Sequence, residues 1–225
     1  MRIFIKLVIM LILIPLTSGY LIAIYNIIIT LANSYKKNWH FLLGILAGII
    51  FFPLLNKRRF IRTFEHEMTH LLFAKLFFGK IKELNVNAEG EGYVEYTAYP
   101  NPFIRLSPYF FPLFSAVIAI LIPLLNPTFS KYFFIATGFF LINHLFSSTA
   151  EIFSLQPDIK QEGIVFSLIF ISFFLIFIYG IIISEVISTQ HIIKFLKEGL
   201  TKSISNLILL KDWLHSITPI SSLAR

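Results

Sequence analysis

The sequence has no cysteine, which removes disulfide frameworks and thiolate metal sites together. Any metal would have to be held by histidine and carboxylate groups. Charge is scarce as well: 14% of the residues are Asp, Glu, Lys or Arg, against about a quarter in soluble globular domains. No block of like charge interrupts the chain, so the formal net charge of +7 does not mark a nucleic-acid surface. The lysines and arginines sit mostly in short links and in the tail, where they orient a membrane protein and meet the anionic headgroups of a lipid bilayer. What is present instead is apolar. Hydrophobic residues make up 56% of the chain, 26 of them phenylalanine, and several runs reach the roughly 20 residues that a spanning helix needs.

These runs predict an all-α polytopic membrane protein. About six membrane helices are expected, near 4–32, 38–55, 59–79, 107–126, 131–153 and 163–187. The first segment carries Arg2, Lys6 and an apolar stretch, like a signal peptide, but apolar character resumes at once, so a retained helix kinked at Pro15 is expected. The links "NSYKKN" and "NKRR" separate the first three helices. Between the third and fourth, "KIKELNVNAEGEGYVEYTAYPNP" alternates and is rich in β-branched and aromatic residues, which predicts a small β-hairpin at about 80–100. From Thr189 onward, apolar residues at helical spacing alternate with lysines, which predicts an amphipathic helix. It would lie in the membrane interface, anchored by Trp213, or pack on the bundle or a partner. Three regions result: N-terminal membrane helices (1–58), a core containing the hairpin (59–188) and an amphipathic tail (189–225).

One apolar segment is unexpectedly polar. "FEHEMTHLLFAKLFFGK" (64–80) contains two glutamates, two histidines and two lysines, and ionisable groups within a membrane segment are costly and usually functional. In "HEMTH", His66 and His70 are four residues apart, one helical turn, so both imidazoles can face one zinc ion. Glu67 follows the first of them, where its carboxylate can take a proton from an attacking water. Glu65 points elsewhere on the helix, toward Arg62 or Lys75. A catalytic zinc site needs a third protein ligand. Asp158, in "SLQPDIKQEG", is one candidate, although an aspartate there can equally be a helix cap; Glu151 is the other.

The order of an HExxH helix, a short strand region, two helices and a Pro-Asp element resembles the site-2 protease family of intramembrane zinc metallopeptidases, in particular compact bacterial members. The resemblance covers roughly residues 59–165 and is carried by "HEMTH" and by Pro157-Asp158. It implies a Zn2+ cofactor held by His66, His70 and Asp158, with Glu67 as catalytic base. It also implies a membrane protein as substrate and a bacterial cytoplasmic membrane as location. The chain departs from the family's Asp-Gly element, because Ile159 follows Asp158 and the next glycine is Gly163. Asn143 and His144, mid-helix in "LINHLFSS", either line the site or make hydrogen bonds between helices. Tyr93 and Tyr96, in the hairpin, are candidates for contact with an extended substrate, and the hairpin edge could pair with its backbone; a plain structural cap is the alternative.

Six full crossings would put the "NKRR" link and Asp158 on opposite sides of the membrane, whereas His66 lies only about 10 Å along the helix from Arg59. The HExxH helix is therefore expected to stay within the bundle without completing a crossing, the hairpin folding back to the same side.

Overall fold

The computed structural model describes residues 3–57, 60–87, 89–99 and 101–217. Arg2, Arg58 and Arg59, and the last eight residues of the expected tail, lie outside the described residues. The chain order is α1 (Ile3–Asn33), α2 (Tyr35–Lys57), α3 (Phe60–Leu76), β1 (Lys80–Val86), β2 (Gly92–Thr97), α4 (Pro102–Phe110), α5 (Leu113–Leu121), a short 3-10 turn (Ile122–Leu124), α6 (Pro127–Phe153), α7 (Pro157–Glu162), α8 (Ile164–Ile187) and α9 (Thr189–Ile217). The all-α class, the hairpin and the C-terminal helix agree with expectation.

The number of membrane helices does not. Among the described residues, four helices are long and apolar enough to span: α1, α2 over Tyr35–Leu54, α6 over Thr128–Phe153, and α8. They become five if α4 and α5, bent by 78°, count as one broken span. Two physical causes reduce the expected six. At 17 residues α3 is short, and it carries Arg62, Glu65, Glu67 and Lys75. The expected continuous helix at 107–126 is broken by Pro112, which has no N–H to donate and forces the preceding residue out of helical geometry; Phe111 is extended, at φ −111° and ψ 101°.

The helices pack in two groups that meet at α4 and α8. In one, α2 lies against α6 along small residues; a Cβ added to Gly44 would stand 2.0 Å from the Ile135 carbonyl oxygen, and one on Gly138 would stand 2.3 Å from that of Phe41. Only glycine permits this approach. In the other, α1 packs on α8 and α9. The hairpin folds back along α3, as expected. Its strands pair antiparallel from Lys80↔Thr97 to Val86↔Gly92, Gly90 takes φ 81° at the turn, and the Thr63 hydroxyl donates to the Gly90 carbonyl (2.8 Å). The hairpin tip is thereby fastened to the first turn of α3.

At one end of the bundle α6 finishes, α7 forms a single short turn opened by Pro157, and Gly163 at φ 90° redirects the chain into α8. Asp158 therefore belongs to its own short helix rather than to the start of α8. That helix is anchored by Glu162, which is buried and paired with Lys6 of α1 (2.7 Å) and with Arg105 of α4. A buried carboxylate with two cationic partners and a fixed neighbour, Ile159 at 0% exposure, leaves α7 little freedom.

Candidate metal centre

The i, i+4 spacing on α3 brings the two motif histidines together, with ring centroids 4.9 Å apart. Asp158, 88 positions beyond His70 in sequence, is delivered by α7. One ligand atom from each of His66, His70 and Asp158 lies within 4.8 Å of the other two. His70 Nε2 is 3.6 Å from Asp158 Oδ2.

The remaining ring nitrogens are accounted for. His70 Nδ1 is 2.8 Å from the Ile104 carbonyl oxygen, and His66 Nδ1 is 3.1 Å from Glu151 Oε2. A carbonyl can only accept, and so can an ionised carboxylate, so both Nδ1 atoms carry the proton and donate. That tautomer leaves both Nε2 atoms with lone pairs, the state in which imidazole binds a metal. Glu151, a rival for third ligand in the sequence, is thus engaged on the far side of the His66 ring. Its other oxygen lies 3.5 Å from Arg62 Nε.

Proline chemistry explains how α4 can hold two histidines. In an unbroken helix the Ile104 carbonyl would accept from the amide of residue 108, and the Pro108 carbonyl from that of residue 112; both positions are proline and have no N–H. The released oxygens find other donors. Ile104 receives His70 Nδ1 and the Ser107 hydroxyl (2.9 Å), and Pro108 receives His144 Nε2 (3.0 Å). Tyr109, between the two prolines, turns into the cluster. Its hydroxyl donates to Asp158 Oδ2 (3.4 Å), and its ring stands edge-on to His66 at 5.5 Å. The Ser148 hydroxyl, on α6, donates to the Tyr109 carbonyl (2.9 Å).

Electrostatics follow the geometry. Burial pushes the Asp158 carboxyl up, but the polar surroundings set by His70, His66 and the Tyr109 hydroxyl outweigh it and hold the group below the usual carboxylate range. Burial pulls His66 down, while the Glu151 hydrogen bond and charge pull harder and leave the ring above the usual histidine range. Glu67 is half-buried and close enough to be felt by His66 and by Tyr96.

Other expected residues separate into those near the cluster and those away from it. His144 is buried with both ring nitrogens engaged, Nε2 on Pro108 and Nδ1 on the Tyr179 hydroxyl (2.8 Å); it joins α6 to α4 and α8. Asn143 donates to the Phe139 carbonyl of its own helix (2.7 Å). It lines a cavity of about 100 Å³ between α2, α3 and α6, behind the cluster, with Arg62 and Glu65. Glu65 accepts the Phe114 amide at the start of α5 (3.3 Å), while Arg62 reaches Glu151. The two tyrosines of β2 are three residues apart and so emerge on opposite faces. Tyr96 is half-buried against the core. Tyr93 faces outward and donates to Glu83 (2.8 Å).

Two contributors were not anticipated: Tyr109, and the Ile104 carbonyl. Their only signal in the sequence is the proline pair at 108 and 112. Comparison of the chain with protein-family models, with curated proteins and with solved structures gives no match.

Proposed function

We propose that the chain is an intramembrane zinc metalloprotease of the site-2 protease kind, cleaving peptide bonds of membrane-embedded or membrane-anchored proteins in a bacterial cytoplasmic membrane. The observation that carries this reading is the convergence of His66, His70 and Asp158 within 4.8 Å, with both Nδ1 atoms already donating elsewhere. Two imidazoles and one carboxylate form a donor set that suits zinc and leaves a fourth position open. When bound, zinc supplies Lewis-acid polarisation of the scissile carbonyl and acidifies the attacking water.

The protein's own groups do the rest. Glu67 takes a proton from water as its oxygen bonds to the carbonyl carbon, and returns that proton to the departing amine as the C–N bond breaks. Glu151 and the Ile104 carbonyl hold the two imidazoles in the binding tautomer. Tyr109 holds Asp158 by its hydroxyl. Among the described residues β2 has a strand neighbour on one edge only, so its other edge can pair with an extended substrate. Such pairing matters because helical amides are protected by their own hydrogen bonds.

The test has two arms. Zinc is measured by elemental analysis on detergent-purified wild type, His66→Ala and Asp158→Ala; about one ion per chain, lost in both variants, is the expected result. Proteolysis of a membrane-anchored reporter is then measured for wild type and Glu67→Gln. Zinc retained by Asp158→Ala would refute the ligand set. Full activity in Glu67→Gln would refute the mechanism, and zinc binding without any cleavage would make the chain a metal-binding scaffold.

A further inference from the structure

The tail helix α9 is amphipathic, yet it does not lie across the end of the bundle. Its contacts run antiparallel along α1: Asn26 donates to Glu198, Tyr20 to the Leu196 carbonyl (3.3 Å), Ser203 to the Leu16 carbonyl (3.4 Å), and Asn206 to Ser18 (3.0 Å). The packing at this level is close. Tyr20 meets Phe173, Phe177 and Phe195 at 5.9, 5.2 and 5.3 Å, and a Cβ on Gly180 would stand 2.0 Å from the Phe195 ring.

These contacts fix a depth. Phe173 and Phe177 straddle the middle of α8, which is 24 residues long and bears no charge between Ile164 and Ser184. Its ends are marked by charge: Lys6 pairs with Glu162 just before one end, and Lys37 donates to the Ile187 carbonyl (3.4 Å) at the other. Residues 195–203 of α9 are therefore level with the middle third of a spanning helix, whose centre is about 18 Å from either end at 1.5 Å per residue. The flank of α9 turned away from α1 carries Lys194, Lys197, Thr201 and Ser205, with Lys202 beside it; all are exposed. None of the three lysines has an ion-pair partner among the described residues. Ammonium groups facing lipid at that depth are costly, and Lys197 and Lys202 are further from the headgroups than a lysine stem extends.

We infer that this face of α9 docks a membrane-spanning helix of a partner protein bearing carboxylates near its midpoint. Charge complementarity selects the occupant. A second copy meeting the same face would bring lysine against lysine, and a neutral helix would leave the ammonium groups unpaired. The helix that bears this face packs on α1 and α8 rather than on α3 or α7, so the inference is independent of the zinc reading.

The absence of cysteine makes the test direct. Full-length Thr201→Cys and Tyr99→Cys are placed in lipid nanodiscs and treated with a sulfonated maleimide; Tyr99 is 88% exposed beyond the hairpin. Cys at 201 should react at least about tenfold more slowly. A dye at 201 then reports energy transfer from a Leu/Ala spanning peptide with two central glutamates, against the same peptide with glutamines. The glutamate peptide should associate at about tenfold lower density in the membrane. That preference should vanish in Lys197→Gln/Lys202→Gln, a double change at exposed positions that leaves the α1 contacts intact. Equal association of the two peptides, or reaction at 201 as fast as at 99, would overturn the inference.

Discussion

The α2–α6 seam and the α3–α4–α7 seam join helices in surroundings where lipid competes for every apolar contact, and they do so by opposite means. The first works by shape: Gly44 and Gly138 let one backbone touch the next. The second works by polar atoms, with His70 on the Ile104 carbonyl and Tyr109 on Asp158. A seam held by shape carries no chemistry. A seam held by imidazole and carboxylate carries it as a by-product of being held, because each group anchored at one atom presents another. The helix α6 belongs to both, with glycine toward α2 and His144 and Ser148 toward α4.

The contrast can be broken from either side. The largest effect is expected at Gly44→Ala, whose new methyl would meet backbone 2.0 Å away with nothing able to yield; about 3 kcal/mol or more of stability should be lost. Thermal unfolding in detergent checks this, and the fraction that still folds should bind zinc as wild type does. Pro108→Ala should do the reverse. Restoring an amide that competes for the Ile104 carbonyl frees His70 Nδ1, so zinc affinity should fall about 10- to 100-fold, while the unfolding midpoint holds or rises.

Glu151→Gln sharpens the polar seam. Because Glu151 raises His66, and zinc needs the neutral ring, metal uptake by the wild type should fail, as pH drops, at a value above that of an ordinary histidine. The variant should weaken zinc about tenfold at neutral pH and move that failure to lower pH. A competition titration against a chelator across pH reads both; an unmoved pH midpoint would mean that the Glu151 contact does not set the His66 proton. The smallest effect is expected at Tyr93→Phe, on the outward face of β2, with stability within about 0.5 kcal/mol and zinc unchanged. Tyr96→Phe is the informative partner, because that ring faces the core.

Much of the fold was legible because its signals are local. Spanning helices follow from apolar length, the hairpin from alternation and glycine, and the histidine pair from i, i+4 spacing. Tyr93 and Tyr96, both expected to contact an extended substrate, emerge on opposite faces, a separation that the period of two already implied. What stayed hidden depends on partners far along the chain. That Glu151 would orient His66 rather than replace Asp158 rests on α6 ending beside α3. That α9 would lie along α1 rather than across it rests on Gly19 and Gly199 opening a cleft for each other's helices. The prolines at 108 and 112 are an intermediate case: they announce two freed carbonyls at 104 and 108, but not which donors will claim them.

The pairing of α1 with α9 also has a temporal side. The Asn206–Ser18 hydrogen bond closes a sequence separation of 188 residues, so α1 acquires that partner only after α2 to α8 have been made. Until then the polar band of α1, from Thr17 to Asn26, has no mate, and α8 can cover only part of it. Assembly of this flank is a late, long-range step. A nascent chain that stops short of α9 would leave a spanning helix with an open polar cleft, the kind of flaw by which an unfinished membrane protein is told apart from a finished one.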